Sequence, residues 1–341
     1  MKTPLNPNDF RRVHASRCGL LMLFVAFGVL SVLDVCAVKV RVATYNVEHG
    51  VGRPGTEKYE ALKSSLARVN ADVVAFQELE RKTANEWNRM AEELGYPHRA
   101  WGELGTFSGN MVVGFWSRFP IKETHHVPAP KDSQEFSRIP LRILVDIPGA
   151  AQPLAMWNMH HKAMFQWRDD FRRAVEAFRI VRDINQYCAD KSYPVDFVMF
   201  GDMNDDLERE EQSSQFLKPP SRLPSTYRIG PDVEFPVRYR VFPTDHYSPA
   251  GGGMHLVPAF RQGSNNRITH LHTQYQLDYI FVSETIWSHP AGRPEGEIYH
   301  SEWDRAEGGL QKAGSPLDPA TSLRASDHYP VFVDLHVRDA E

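Results

Sequence analysis

Residues with catalytic or metal-binding chemistry recur where the apolar runs of this sequence begin or end. The run 40–45 ends at Asn46, and the run 73–76 is followed by Gln77 and Glu78. Later runs end or begin at the following polar residues: His160, Asp202, Asn204, Asp278, Asp327 and His328. Because α/β folds build their sites where strand ends meet at one rim, we expect these side chains to lie close together.

Several carboxylates on one rim repel each other unless a positive charge lies between them. A divalent cation supplies that charge. Carboxylate and amide oxygens without thiolates suit Mg²⁺, and also Mn²⁺ or Ca²⁺, better than a structural zinc ion. The rim therefore predicts a site for a hard metal ion, with Mg²⁺ as the first expectation.

Hydrophobic periodicity predicts the elements that position this rim. Runs rich in β-branched residues indicate strands over residues 38–44, 73–76, 111–116, 141–147, 154–157, 195–200, 279–282 and 331–335. Apolar residues at helical spacing indicate helices over residues 59–69, 87–94 and 167–184. Several strands follow one another without a helix between them. This order favours mixed sheets, packed on each other and covered by helices, over a doubly wound parallel sheet.

Composition limits the class of protein. The 341 residues include 42% hydrophobic residues and carry a net charge of −4, with 43 acidic against 39 basic side chains. These values exclude a disordered chain and a polytopic membrane protein. They also argue against a nucleic-acid binder with a broad basic surface. We expect a single domain over residues 38–341, with long loops at 208–277 and 288–323, that is monomeric and needs no protein partner.

The N-terminal segment has the order of a secretory signal. Arg11, Arg12 and Arg17 precede an apolar run over residues 19–33, and small residues follow at 35–37. The run is shorter than the roughly 20 residues that a spanning helix needs. We expect a signal peptide over residues 1–37 and export to the periplasm or the medium; an uncleaved signal anchor is the alternative. Cleavage would leave Cys188 as the single cysteine, so no internal disulfide is expected.

Six short motifs, in this order along the chain, resemble the endonuclease/exonuclease/phosphatase superfamily. They are residues 44–48 (Thr-Tyr-Asn-Val-Glu), 76–78 (Phe-Gln-Glu), 158–160 (Asn-Met-His), 201–204 (Gly-Asp-Met-Asn), 277–280 (Leu-Asp-Tyr-Ile) and 326–328 (Ser-Asp-His). Residues 109–121 and 136–140 resemble two further segments of that family. The resemblance implies a four-layer α/β/β/α sandwich, with two mixed and mostly antiparallel sheets, that cleaves phosphoester bonds with a divalent metal.

The resemblance also implies a role for each matching residue. Glu78 would be the principal metal ligand, assisted by Asn46 and Asp327. His160 and His328 would flank the scissile phosphate. The remaining roles fall to the following residues: Asp202 orients or deprotonates water, Asp278 holds His328, and Asn204, Arg138 and Asn110 contact the phosphate.

Some residues near the motifs have a less specific interpretation. His161, which follows the first motif histidine, is expected to be a surface residue or a support for the site. Glu103 is a weak candidate partner for His160. His255, His270 and His272 match no compact metal spacing, so we expect ordinary loop residues.

Substrate is a separate question from chemistry. We expect hydrolysis of a phosphodiester or, alternatively, of a phosphomonoester. A nuclease-like phosphodiesterase is the first expectation, because an exported nuclease tolerates a net negative charge if its groove is locally basic. The alternative is a lipid hydrolase of the sphingomyelinase or phosphoinositide phosphatase kind, which should expose an apolar loop; the two long loops contain no clear amphipathic anchor. A non-catalytic binding protein of the same fold is the third possibility.

Overall fold

The computed structural model describes residues 37–105, 109–207, 216–238 and 253–340. The signal peptide predicted over residues 1–37 lies outside these ranges, apart from Ala37. Within these ranges, none of the helices combines the length and the hydrophobicity needed to cross a lipid bilayer.

Fifteen strands are found in the described residues. They are β1 (Val38–Asn46), β2 (Val73–Glu80), β3 (His98–Trp101), β4 (Met111–Ser117), β5 (Ile121–His126), β6 (Leu141–Val145), β7 (Leu154–His160), β8 (Phe197–Asp202), β9 (Phe216–Leu217), β10 (Val237–Arg238), β11 (Met254–Leu256), β12 (Ala259–Arg261), β13 (Asp278–Ser283), β14 (Gly296–Ile298) and β15 (Val331–Val337). Seven form one sheet in the order β12-β14-β15-β1-β2-β4-β3, and six form another in the order β11-β13-β8-β7-β6-β5. Strands β9 and β10 pair separately.

Both large sheets are mixed and mostly antiparallel. The parallel pairs are β1 with β2, β12 with β14, and β7 with β8. Parallel pairing brings the ends of β1 and β2 to one edge, and it does the same for β7 and β8. The predicted polar rim is built on these two edges.

Five α-helices lie in the described residues. They are α1 (Glu57–Val69), α2 (Ala84–Glu93), α3 (Trp167–Ala189), α4 (Glu284–Trp287) and α5 (Thr321–Ala325), with 3₁₀ turns at Arg81–Thr83 and Ser301–Trp303. Of these, α1, α2 and α3 cover the outer faces of the two sheets. Apolar residues of α1 and α2, such as Leu62 and Trp87, pack on the seven-stranded sheet. Those of α3, such as Ile180 and Ile184, pack on the six-stranded sheet. A third core, which includes Val42 and Phe200, lies between the sheets. The predicted four-layer α/β/β/α sandwich is confirmed.

A buried polar contact joins the two sheets just behind the rim. Gln77 Nε2 donates a hydrogen bond of 2.7 Å to Asn158 Oδ1. Asn158 Nδ2 in turn donates to the backbone oxygens of Phe76 and Gly114, at 2.9 Å each. Buried amides with satisfied partners fix a unique arrangement, so this contact holds the edge of β2 against the edge of β7.

Two parts of the chain are more regular than the sequence suggested. Residues 208–277, expected to be irregular, contain the short strands β9 to β12, and residues 288–323 contain β14 and part of α5. Strand β5 was not predicted separately because most of its side chains are partly or fully exposed, so it lacks an apolar run. Strands of two to four residues are too short to show a period.

Candidate active site

Four strand ends deliver the predicted catalytic residues to one place. His160 and Asp202 are register partners on the parallel strands β7 and β8, and Asp278 is the antiparallel partner of Asp202 at the start of β13. His328 lies just before β15 and forms an isolated bridge with His270. We call His160, Asp202, Asp278 and His328 the catalytic cluster, after the role that the sequence resemblance implies for them.

Asp202 lies at the centre of the catalytic cluster. Its Oδ2 is 3.4 Å from His160 Nε2 and 3.8 Å from His328 Nε2. Its Oδ1 accepts a hydrogen bond of 2.8 Å from the backbone N–H of Asn204. One carboxylate therefore faces both histidines, and its second oxygen is fixed by the backbone.

Only glycine fits at position 201, directly before Asp202. Gly201 adopts φ +150°, and a Cβ there would lie 2.2 Å from the backbone oxygen of Met159. Strands β7 and β8 approach closely at this point, and the approach sets the distance between His160 and Asp202.

Burial and neighbouring charge shift the pKa values of the two histidines in opposite directions. The pKa of His160 falls well below its usual value because the ring is buried, with the Arg138 charge as the next cause. Burial also opposes the charge on His328, but the Asp278 carboxylate, with Asp202 and Asp327, raises the pKa of His328 to about 10. The site thus disfavours a positive charge on His160 and favours one on His328.

The pKa of Asp202 is raised to about 6, first because the side chain is buried, while the His328 charge opposes the rise. A carboxylate with a pKa near neutrality can take up a proton from water more readily than an ordinary aspartate. Asp202 is therefore suited to the predicted role of general base.

Glu78 and Asn46 meet beside the catalytic cluster. Asn46 Nδ2 lies 3.3 Å from Glu78 Oε1 and 3.0 Å from Asp202 Oδ2. Glu78 has φ +58°, and the pairing of β2 with β4 shifts register between Phe76 and Leu79. A bulge of this kind re-aims a side chain, and Glu78 Oε1 comes within 3.8 Å of His160 Nε2.

The donor atoms present fit a divalent metal. Carboxylate oxygens of Glu78 and Asp202 converge on the Asn46 side-chain amide, and hard oxygen donors of this kind are the ligand chemistry of Mg²⁺, Mn²⁺ and Ca²⁺. Ligand atoms of Asp202, Asp278 and His328 also lie within 4.8 Å of one another. Asp278 Oδ1 is buried without a hydrogen-bond partner in the described residues, and a nearby cation would satisfy it.

Asp327 has a neighbour that the sequence did not indicate. Its Oδ2 lies 3.4 Å from His270 Nε2, and the centroids of the His270 and His328 rings are 4.6 Å apart, with the rings tilted by 55°. The expectation that His270 is an ordinary loop residue is wrong. His270 follows Thr269, whose hydroxyl accepts the backbone N–H of Asp278 at 3.1 Å. The position of His270 follows from the isolated bridge between its loop and His328. No spacing of residues in the sequence indicates it.

Two of the predicted phosphate contacts converge on one carbonyl. Arg138 Nη1 and Asn204 Nδ2 each donate a hydrogen bond of 3.1 Å to the backbone oxygen of His161. Arg138 Nε is buried with no partner in the described ranges. Asn110 is exposed in the turn before β4, next to Met111, whose Sδ lies 4.0 Å from Arg138 Nη2.

Glu176 supports this side of the site from α3. Its oxygens accept the backbone N–H groups of Ser137 and Lys162, at 2.7 and 2.8 Å, and His161 Nδ1 lies 3.3 Å away. His161 is thus a buried supporting residue and not a surface residue. Glu103, by contrast, is an exposed residue that faces His126 at 3.6 Å, so its suggested pairing with His160 is wrong.

A sandwich of two mixed sheets with carboxylate and histidine side chains at one edge is consistent with the fold of a known family of phosphoester hydrolases. Residues 43–328 match the sequence model of the Endonuclease/Exonuclease/phosphatase family. The match covers most of the chain, and the protein belongs to this family. Enzymes of the family are hydrolases that act on phosphoester bonds. A comparison with curated protein sequences gave no match.

Solved structures of several other proteins share this fold. ANGEL2, a 2′,3′-cyclic phosphatase in complex with adenosine-2′,3′-vanadate, is 14% identical with a TM-score of 0.57, over 88% of this chain and 96% of that one. Truncated TDP2 from Caenorhabditis elegans is 13% identical with a TM-score of 0.51, over 88% and 98%. Sphingomyelinase C from Streptomyces griseocarneus is 15% identical with a TM-score of 0.50, over 87% and 99%. At these identities the similarity shows the fold alone.

Proposed function

We propose that this protein is a divalent-metal-dependent phosphodiesterase, with the catalytic cluster as its active centre. The observation that carries the proposal is the position of the Asp202 carboxylate between the His160 and His328 rings, with Oδ2 at 3.4 and 3.8 Å from their Nε2 atoms. Hydrolysis of a phosphodiester needs a base for water and positive groups for the charge that develops on phosphate oxygens. The catalytic cluster provides both.

Each residue has a defined task in this proposal. Asp202 accepts the proton of the attacking water, and the His328 imidazolium, held by Asp278, donates toward the charge on the phosphate. His160, being neutral, donates one ring N–H to a phosphate oxygen. Arg138 and Asn204 contact the other oxygens, and the planar guanidinium suits a phosphate.

Glu78 and Asn46 would hold the metal, with Asp327 as the further ligand that the sequence predicts. When bound, the ion would supply Lewis-acid stabilisation of the phosphate charge. Mg²⁺ is the proposed ion, because the donors are hard oxygens. The proposed partner is the phosphoester substrate itself, and export remains a proposal from the N-terminal sequence.

The side chains around the catalytic cluster, rather than the cluster itself, distinguish a nucleic acid from a lipid head group. Plasmid DNA, RNA, sphingomyelin and inositol phospholipids, each offered with Mg²⁺ and with EDTA, test the proposal and identify the substrate class. Hydrolysis of at least one of them, abolished by EDTA, is expected. A pure, folded protein that hydrolyses none of these and no soluble phosphodiester would instead be a binding protein of this fold.

A further inference from the structure

Three exposed apolar side chains stand beside the active site. The described part of the chain exposes six large apolar side chains, and three of them lie within four consecutive positions: Met164 at 64%, Phe165 at 49% and Trp167 at 49%. We call these three residues the apolar tip. The tip begins four residues after His160, on the segment that links β7 to α3, and ends at Trp167, the first residue of α3.

Backbone contacts hold the apolar tip outward. The buried Arg173 donates a hydrogen bond of 3.0 Å to the backbone oxygen of Lys162 and another to that of Met164. Met164 has φ +81°, a conformation that costs free energy for any residue with a side chain. A fixed and strained backbone that exposes a methionine points to a use for that side chain at the surface.

The apolar tip is also continuous with the loop that precedes the catalytic Asp278. The Phe165 ring meets Tyr275 edge to face, with ring centroids 6.1 Å apart. Tyr275 belongs to the same turn as His270, since its backbone oxygen accepts from the His270 N–H at 3.1 Å. A binding partner that contacts the tip therefore also lies against the entrance to the active site.

The charges near the apolar tip favour a lipid surface over a nucleic-acid strand as its binding partner. The chain carries a net charge of −4. Around the tip, Lys162 lies 3.4 Å from Asp169 and Arg173 pairs with Asp170. Arg168 is exposed and has no ion-pair partner within the described ranges. Binding of a polyanionic strand needs several unpaired cations, whereas one arginine next to exposed Trp, Phe and Met side chains is typical of contact with a bilayer interface.

We propose that the apolar tip docks on a phospholipid bilayer, so that the phosphodiester reaching the active site is a lipid head group. This inference rests on the proposed phosphodiesterase function and adds its substrate class. The sequence shows no clear amphipathic membrane anchor in the two long loops, residues 208–277 and 288–323. The tip lies outside both loops.

Vesicle flotation tests the proposal without turnover. Purified protein in EDTA is floated with vesicles of phosphatidylcholine and phosphatidylserine. We expect the wild type to float, and we expect the triple variant Met164→Ser, Phe165→Ser, Trp167→Ser to lose binding by about tenfold or more. Leu323→Ser is the matched control, because Leu323 is 49% exposed but belongs to α5, in the opposite helical layer, and it should float like the wild type.

A single substitution covers the case in which the triple variant is misfolded. Met164→Gly relieves the positive φ, so it should fold at least as well as the wild type while binding vesicles less tightly. Failure of the wild type to float, or equal flotation of wild type and triple variant, would overturn the proposal. So would loss of single-stranded oligonucleotide cleavage in the triple variant without any vesicle binding, since the tip would then contact nucleobases.

Soluble bis(p-nitrophenyl) phosphate separates the two proposals. If the wild type hydrolyses it with Mg²⁺ but does not bind vesicles, the docking proposal fails and the phosphodiesterase stands. If the wild type binds vesicles but hydrolyses no phosphodiester, the active-site proposal fails on its own.

Discussion

His328 Nδ1 and Asp278 Oδ2 lie 2.7 Å apart, and both side chains are buried. This pair fixes the ring orientation of His328 and stabilises its positive charge. Asp278→Asn keeps the size of the side chain but removes the carboxylate that stabilises the imidazolium. We expect kcat for a soluble phosphodiester to fall by about 10²-fold or more, with KM changed much less.

The same substitution should lower the pKa of His328, which an NMR titration of the ring protons measures. Asp278→Glu serves as the conservative control and should recover part of the activity. A normal rate in Asp278→Asn would show that the pair is only structural.

His160 and His328 are each expected to be required. Replacement by alanine removes a hydrogen-bond donor to the phosphate, or a positive charge, so each variant should lose about 10²–10⁴-fold in rate. Circular dichroism and thermal unfolding should show both variants folded. Turnover close to that of the wild type in either pure variant would remove that histidine from the mechanism.

Arg138 should contribute to phosphate binding through its planar guanidinium. Nη1 is engaged with the His161 carbonyl, while Nε has no partner among the described residues. Arg138→Lys keeps the positive charge but loses the planar set of N–H donors of the guanidinium, so we expect KM to rise by about tenfold. The comparison is with Arg99→Lys, whose guanidinium lies on the surface beside Glu92 and should leave KM unchanged. Equal KM values for the two variants would contradict the role of Arg138.

His300 should make stability depend on pH. Burial, together with the Arg261 charge, lowers the pKa of His300 from 6.5 to about 4. Between these values the unfolded chain binds a proton that the native state does not. The stabilisation that comes from keeping His300 neutral is therefore fully present above pH 6.5. As the pH falls from 6.5 toward 4, the free energy of unfolding decreases, and the loss is about 2 kcal/mol at about pH 5.

His300→Asn provides the comparison for this pH effect. Asparagine does not titrate and retains an acceptor for the Glu302 N–H, which now bonds to His300 Nδ1 at 3.2 Å. Urea unfolding at about pH 7 and about pH 5 should show a smaller loss of unfolding free energy in the variant than in the wild type. An identical loss in both proteins would show that His300 does not titrate as described.

Sequence patterns predicted the layers and the meeting of polar strand ends at one rim because their signals are local. Apolar runs and helical spacing mark the buried faces of β1, β8 and α3, and His160 and Asp202 directly end such runs. Once two strands are paired in parallel, their end residues meet without further information.

What the sequence did not predict depends on distant contacts. His270 reaches Asp327 only because its loop bridges to His328, and Glu176 supports the site from the third turn of α3. The apolar tip was also missed, since hydrophobic residues at the start of an amphipathic helix, such as Trp167, are assigned to its buried face until burial is known.

Metal-dependent hydrolysis tests the central claim most directly. The rate for bis(p-nitrophenyl) phosphate is measured while Mg²⁺ is added back to EDTA-treated wild type and to Glu78→Gln. We predict a saturable return of activity in the wild type, and a much higher Mg²⁺ requirement in Glu78→Gln. Activity that persists in excess EDTA, or no activity with Mg²⁺, Mn²⁺ or Ca²⁺, would contradict a metal-dependent phosphodiesterase centre.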